Sequence, residues 1–302
     1  MTVGVASLAI ETMLGDGAAY LAGRGVEDPR LEAEHLLAHI LGVPRLHLYL
    51  DLDRSLGPGE AERYQELLRR RSTREPLQYI LGSAPFRDLE LRVDPRVAIP
   101  RPETEYLIDA LMELVRRDGH PMGDEAPFGS ALEIGTGSGA IAISLATEGL
   151  AGSVTATDVS PEALAVAIGN ARRAGARGIE FLAGDSLAPV GQRKFDLVIS
   201  NPPYLTRAEW LTAQPEVREW EPRVAMHGGG DGLDVVRSVA AGVGGVLRPG
   251  GWFGLEVGSG QVAAVVALLR RIPALGAPVA RSDLTGRGRY VFARWGCNIP
   301  SG

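Results

Sequence analysis

The sequence predicts an α/β protein in which a doubly wound, mostly parallel sheet follows a small helical domain. Two observations carry this expectation. From Ala131 onward, short apolar runs alternate with stretches of helical spacing, the pattern of parallel strands buried on both faces by crossover helices. From Ala6 to about Arg74 the spacing is helical. With 302 residues, 45% of them hydrophobic and 23% charged, the chain can bury a sizeable core and has room for two domains.

Composition narrows the function. The formal net charge of −6 gives no global basic field to draw the chain to nucleic acid or to an anionic membrane, which leaves only a local basic groove for either. The single cysteine, Cys297, has no internal disulfide partner and suits a reducing cytosol. The stretch Met1 to Leu14 carries Glu11 and no basic leader, and no long uncharged apolar run occurs. A cytoplasmic protein with no membrane partner is expected.

In the helical domain, expected over 1–75, Asp28-Pro29 reads as N-cap and first helical position before the stripe Leu31, Leu36, Leu37, Ile40 and Leu41, and Gly42 closes that helix. Pro58-Gly59 opens another, with Tyr64, Leu67 and Leu68 on one face. Arg69-Arg70-Arg71 at its end complement the helix dipole or, alternatively, meet a protein or RNA. His35 and His39 are four apart, but no Glu or Cys stands at metal-site spacing from them, so no metal is expected. A linker over 76–102 follows. In it Leu89, Leu91 and Val93 alternate with Glu90, Arg92 and Asp94, as in a short hairpin.

The segment from 103 to 302 is expected to be the catalytic domain. The stretch Ile99 to Glu105 opens a helix reaching Arg117, and Arg101, Glu103 and Glu105 crowd more charge into one turn than a cap needs, which suggests that they line a site. His120 to Ser130 reads as a surface loop. Ala131 to Ile134 is a strand, and Gly135-Thr136-Gly137-Ser138-Gly139 is a tight turn into a helix over Ala140 to Ala146. Glycines let backbone approach a ligand, and an acidic residue about 20 positions on, Asp158 at the end of the strand Val154 to Thr157, is placed to accept ribose hydroxyls. Together these features favour a nucleoside site over a structural turn.

Ser160-Pro161 caps a helix running to Arg173, and Ile179 to Leu182 is a strand ending at Gly184-Asp185-Ser186, where Asp185 and Ser186 are positioned to meet a base. The buried strand Phe195 to Ser200 stops at Asn201-Pro202-Pro203-Tyr204, because proline cannot donate to a sheet ladder. At a strand's carboxyl end, the Asn201 side-chain oxygen beside a proline-fixed carbonyl makes a pair of acceptors suited to an NH2 group; a strand-ending turn is the plainer alternative. A helix over Leu233 to Leu247, a strand over Trp252 to Val257, a helix over Gln261 to Arg270 and a strand around Tyr290 to Ala293 complete the sheet, with Arg281 to Gly288 as a hairpin connection.

These motifs in this order resemble a class I S-adenosylmethionine-dependent methyltransferase acting on a planar NH2 nitrogen. Pro76 to Gly82, Ile99 to Glu105, Glu221-Pro222 and Gly229-Gly230-Asp231-Gly232-Leu233 resemble the PrmC/HemK family over nearly the whole chain. Glu133 stands where many members have Asp, and His227 where a small residue is common. The resemblance implies a seven-stranded Rossmann-like sheet, S-adenosylmethionine as cofactor, and methylation of the glutamine N5 in the Gly-Gly-Gln motif of peptide-chain release factors. It also implies that Gly135 to Gly139, Asp158, Asp185, Ser186 and Asn201 meet the cofactor, while Asn201, Pro202, Pro203 and Tyr204 hold the substrate amide, with Asn201, Pro202 and Tyr204 serving catalysis. No direct nucleic-acid contact and a monomer are expected. N6-adenine methylation of DNA or RNA poses the same geometric problem, but normally needs basic grooves or a target-recognition domain. A non-catalytic binding module would let the tetrapeptide drift, and here it is intact.

Overall fold

A computed structural model describes residues 9–118 and 126–297; the residues before 9 and most of the expected His120–Ser130 loop lie outside the described residues. The chain divides into two compact units, one ending at Gly82 and one beginning at Ser83.

The first unit is helical: α1 (Ile10–Ala22), α2 (Pro29–Leu41), α3 (Pro58–Ser72) and the short α4 (Leu77–Leu81). Leu14, Leu21, Leu36, Leu37 and Tyr64 are its fully buried centre. Gly17 is required there, since a Cβ at that position would lie 2.4 Å from the Tyr64 hydroxyl. Asp28 and Pro29 take the expected positions, but Asp28 adopts φ 46° and its side chain makes no cap bond. The arginines ending α3 are spent on ion pairs: Arg69 with Glu66, Arg70 with Glu75, and the buried Arg71 with Glu32 at 2.7 Å.

The second unit opens with the hairpin β1 (Ser83–Phe86) and β2 (Leu89–Arg92), then α5 (Pro102–Arg117). β3 (Ala131–Ile134), α6 (Ala140–Thr147), β4 (Val154–Asp158), α7 (Pro161–Arg173) and β5 (Ile179–Ala183) alternate strand with helix, and β6 (Phe195–Ser200) follows after only a 3-10 turn at Ala188–Val190. The short helices α8 (Arg207–Thr212) and α9 (Arg223–Met226) flank a π-helical turn at Glu216–Trp220. α10 (Asp234–Gly242), β7 (Leu247–Glu256), α11 (Val262–Leu269), β8 (Val279–Ser282) and β9 (Gly288–Arg294) complete the unit. The sheet has seven strands in the order β5-β4-β3-β6-β7-β9-β8, parallel except where β9 pairs antiparallel with β7 and β8. Leu197 and Ile199 pack on one face with Leu107, Leu111 and Ile141, while Val198 faces Val236, Val239 and Val265 on the other. Both faces are thus covered, which is why β6 is apolar without alternation.

The helix expected to reach Leu247 ends at Gly242, and Leu247 already pairs with Phe195. Glycines at 242, 244 and 245 weaken the helix, and a Cβ at Gly244 would lie 2.1 Å from the Trp295 ring. β7 therefore starts earlier than Trp252, with a bulge before the Leu197–Trp252 pair.

Candidate active site

Strand register builds the site. β3 lies between β4 and β6, so the strand order reverses there, the switch point at which open α/β sheets bind ligands. Ile134 pairs with both Thr157 and Ser200, and Asp158 pairs with Ala183. The residues that follow, Gly135, Asp158, Gly184 and Asn201, consequently line one carboxyl edge. They border a cavity of about 910 Å³.

Around the glycine turn, Gly135, Gly137 and Gly139 all have positive φ. Asp158 braces this turn: its Oδ2 accepts from the Gly137 N–H at 2.8 Å and its Oδ1 from the Ser160 N–H at 2.9 Å. Two of the roughly four acceptor positions of a carboxylate are thereby used. Ser186 adopts φ 52°, and its Oγ is buried with no hydrogen-bond partner among the described residues. Such strain and an orphaned hydroxyl at a cavity wall are features of ligand sites. Beneath the turn, Glu133 is buried and accepts from Thr136 Oγ1 at 2.6 Å and the Ala142 N–H at 2.9 Å; burial pushes its carboxyl up to about 8.

At the other side, Asn201 Nδ2 donates to Thr104 Oγ1 at 2.9 Å, and Thr104 Oγ1 donates to Glu256 Oε2 at 2.8 Å. The glycine run after α9 cradles the tetrapeptide backbone. A Cβ on Gly228 would lie 2.4 Å from the Pro203 carbonyl oxygen, and one on Gly232 2.1 Å from that of Tyr204. Gln261 Nε2 donates to the Tyr204 carbonyl at 2.8 Å. Burial pushes the Tyr204 hydroxyl above the usual tyrosine value, so it stays protonated near neutral pH.

A covering segment, Ala213 to His227, supplies Val217 and Pro222 to His227 to the cavity wall. Glu221 anchors it: the carboxylate, 1% exposed, accepts from the Ile99 N–H at 3.0 Å and pairs with Arg101. Trp210 is stacked on by Arg223, 5.1 Å from its ring centre.

The structure brings Gly135, Thr136, Gly137, Ser138, Asp158, Asp185 and Ser186 to the same cavity as Asn201, Pro202, Pro203 and Tyr204. Gly139 does not line it. A Cβ there would lie 2.9 Å from Ile143 and 3.2 Å from Ala167, so this glycine lets α6 pack against α7. Arg101 and Thr104 reach the cavity, whereas Glu103 and Glu105 do not, so the crowding of charge noted in the sequence overstates the site. Glu133, Glu256 and Gln261 were missed by sequence reasoning. Glu133 and Glu256 carry a signal, an acid inside an otherwise apolar strand pattern; Gln261 carries none.

Fold and cavity are those of a class I methyltransferase. The Methyltransferase small domain model matches residues 120–215, and the PrmC N-terminal domain model matches residues 12–82. A protein of Moorella thermoacetica named release factor glutamine methyltransferase is 40% identical over 95% of this chain and 98% of its own length. One of the same name from Geobacter sulfurreducens is 43% identical over 83% of this chain and 85% of its own. The chain belongs to the release factor glutamine methyltransferase family. The solved catalytic domain of hMettl16 in complex with an RNA hairpin from the MAT2A 3′UTR has a TM-score of 0.54, 16% identity and 94% coverage of each chain, which shows a shared fold. No described helix is long and apolar enough to cross a membrane, and no group of three or more His, Cys, Asp or Glu among the described residues forms a metal site.

Proposed function

We propose that this protein is a cytoplasmic monomer that methylates the side-chain amide nitrogen of the glutamine in the Gly-Gly-Gln motif of peptide-chain release factors, using S-adenosylmethionine. The observation that carries the reading is the orientation of Asn201. Its NH2 is committed to Thr104, which leaves Oδ1 as the atom able to accept from a substrate NH2.

An amide nitrogen is a poor nucleophile because its lone pair is delocalised into the carbonyl. Asn201 Oδ1 and the Pro202 carbonyl would accept its two N–H bonds, raise electron density on nitrogen and hold it in one direction. This nitrogen, methylated from S-adenosylmethionine bound in the cavity, would give up its surplus N–H proton to water, so no side-chain base is required. Orientation of this kind is worth on the order of 7–11 kcal/mol. Tyr204 would close one face of the amide plane.

The residues around the glycine turn fit the cofactor. Asp158 retains acceptor capacity for ribose hydroxyls, and the orphaned Ser186 hydroxyl offers a polar partner at the wall. Gly135 to Ser138 and Asp185 complete the holding set. Bound there, the cofactor supplies an electrophilic methyl group on a sulfonium. The helical unit ending at Gly82 is the second surface for an intact release factor, because a single inserted glutamine provides too little contact for recognition.

Incubation with methyl-labelled cofactor and a release factor, followed by mass spectrometry, should place one methyl on the Gly-Gly-Gln glutamine. Label in DNA or RNA adenine, with none in the release factor, would overturn the reading.

A further inference from the structure

We infer that Glu256 is a positioning residue for methyl transfer: acting through Thr104, it determines which end of the Asn201 side-chain amide faces the substrate. This rests on the glutamine reading above and adds to it a group that touches neither substrate nor cofactor.

The number of donors fixes the direction of the hydrogen-bond chain. Thr104 has a single hydroxyl proton, and it goes to Glu256 Oε2 at 2.8 Å. Its oxygen is then available only as an acceptor toward Asn201, whose Nδ2 donates to it at 2.9 Å. An ionised carboxylate cannot donate, so the chain Asn201 to Thr104 to Glu256 has one direction. Reverse that direction and Thr104 donates to Asn201 Oδ1, turning the Asn201 NH2 toward the substrate NH2, donor against donor. The three residues come from the end of β6, the first turn of α5 and the last position of β7, and Ser200 pairs with Leu255, so the register sets Asn201 and Glu256 side by side.

The site is costly in a way that packing does not explain. Glu256 is fully buried, and its Oε1 accepts no hydrogen bond among the described residues. An unsatisfied buried carboxylate oxygen is unfavourable, and a purely structural position would be better served by an apolar side chain. Directionality accounts for the acid. Protonation of Glu256 removes it, because a carboxylic acid can donate to Thr104. The charged and titratable groups facing Glu256 are Arg101 and Glu103 at the start of α5, Tyr204 beyond β6, and Arg289 and Tyr290 on β9. Burial, the largest influence, pushes the carboxyl up to about 7. Turnover should accordingly fall as pH drops through neutrality.

Glu256→Gln keeps the shape and lets the side chain donate. In the full-length protein it should lower kcat roughly 10–100-fold at alkaline pH while leaving cofactor Kd within about twofold, and the acid limb seen in the parent should be absent. Thr104→Val should lose a similar factor, and Thr104→Ser should recover most of it. A readout independent of turnover comes from NMR of the labelled Asn201 side chain: one amide proton is protected from exchange in the parent protein and loses that protection in Glu256→Gln and Thr104→Val. Unchanged protection in both variants overturns the inference whatever the activity. So does an unchanged kcat, or a loss of cofactor affinity matching the loss of kcat. Failure of the parent protein to methylate any release factor would instead count against the substrate reading, with the NMR result still deciding the role of Glu256.

Discussion

At the scale of single residues, Asp158 and Asn201 separate binding from chemistry. Asp158 braces the glycine turn through Gly137 and the start of α7 through Ser160, and it keeps acceptor capacity toward the cavity. Asp158→Ala should weaken S-adenosylmethionine binding by about 1.5–3 kcal/mol, the range for a hydrogen bond to a charged group, read by calorimetry. Asn201→Ala removes one of two acceptors for the substrate amide and should abolish most turnover with a much smaller effect on cofactor affinity. Equal losses in both measurements for both variants would show that the two residues do not divide the work. Asn201 could be singled out in the sequence because the prolines after it end the strand; its partner Thr104 stands 97 positions away, and nothing local announces that contact.

At the scale of elements, an ion pair with Arg101, the residue that caps α5, anchors the covering segment through Glu221. Glu221 is buried and Arg101 is 37% exposed, so the two halves are not equivalent. Arg101→Ala strands a buried carboxylate whose remaining partner is the Ile99 N–H, and should cost roughly 3–5 kcal/mol of stability. Glu221→Gln leaves an arginine that water can reach and should cost less, about 1–2 kcal/mol. Chemical denaturation of both variants tests the order, and a milder Arg101→Ala would refute it. Sequence periodicity showed the helix α5 to its last residue, but it was silent on Leu205 to Gly232, where α8, the π-helical turn and α9 are each too short to display a period.

For the whole molecule, two buried acids set a pH dependence. Burial raises Glu133 to about 8 and Glu256 to about 7, from 4.5. The folded state holds these protons more tightly than the unfolded chain, so their contribution is complete below about 4.5 and is lost as pH rises toward 8. The melting temperature should therefore fall on going from pH 5.5 to 8.5, and Glu133→Gln, which cannot ionise, should flatten the fall; an unaltered slope would show that Glu133 does not titrate in this window. Removing the helical unit tests its proposed role. A chain beginning at Ser83 should still bind S-adenosylmethionine but methylate an intact release factor far more slowly than the full chain, and equal rates would remove the helical unit from recognition.

The sequence by itself determined the kind of most of the longer elements and the order of the motifs, because a face buried at period two or 3.6, a proline that stops a strand and a glycine turn are local physics. It also carried the family resemblance, since Asn201 to Tyr204 and Gly135 to Gly139 are contiguous. Only the tertiary structure decided the strand order β5-β4-β3-β6-β7-β9-β8, the register that sets Gly135 beside Asn201, and the partners of Glu133, Glu221 and Glu256. Those depend on contacts between residues far apart in the chain. A buried acid reads in sequence as a flaw in an apolar run, and only the hydroxyl folded against it shows what it holds in place.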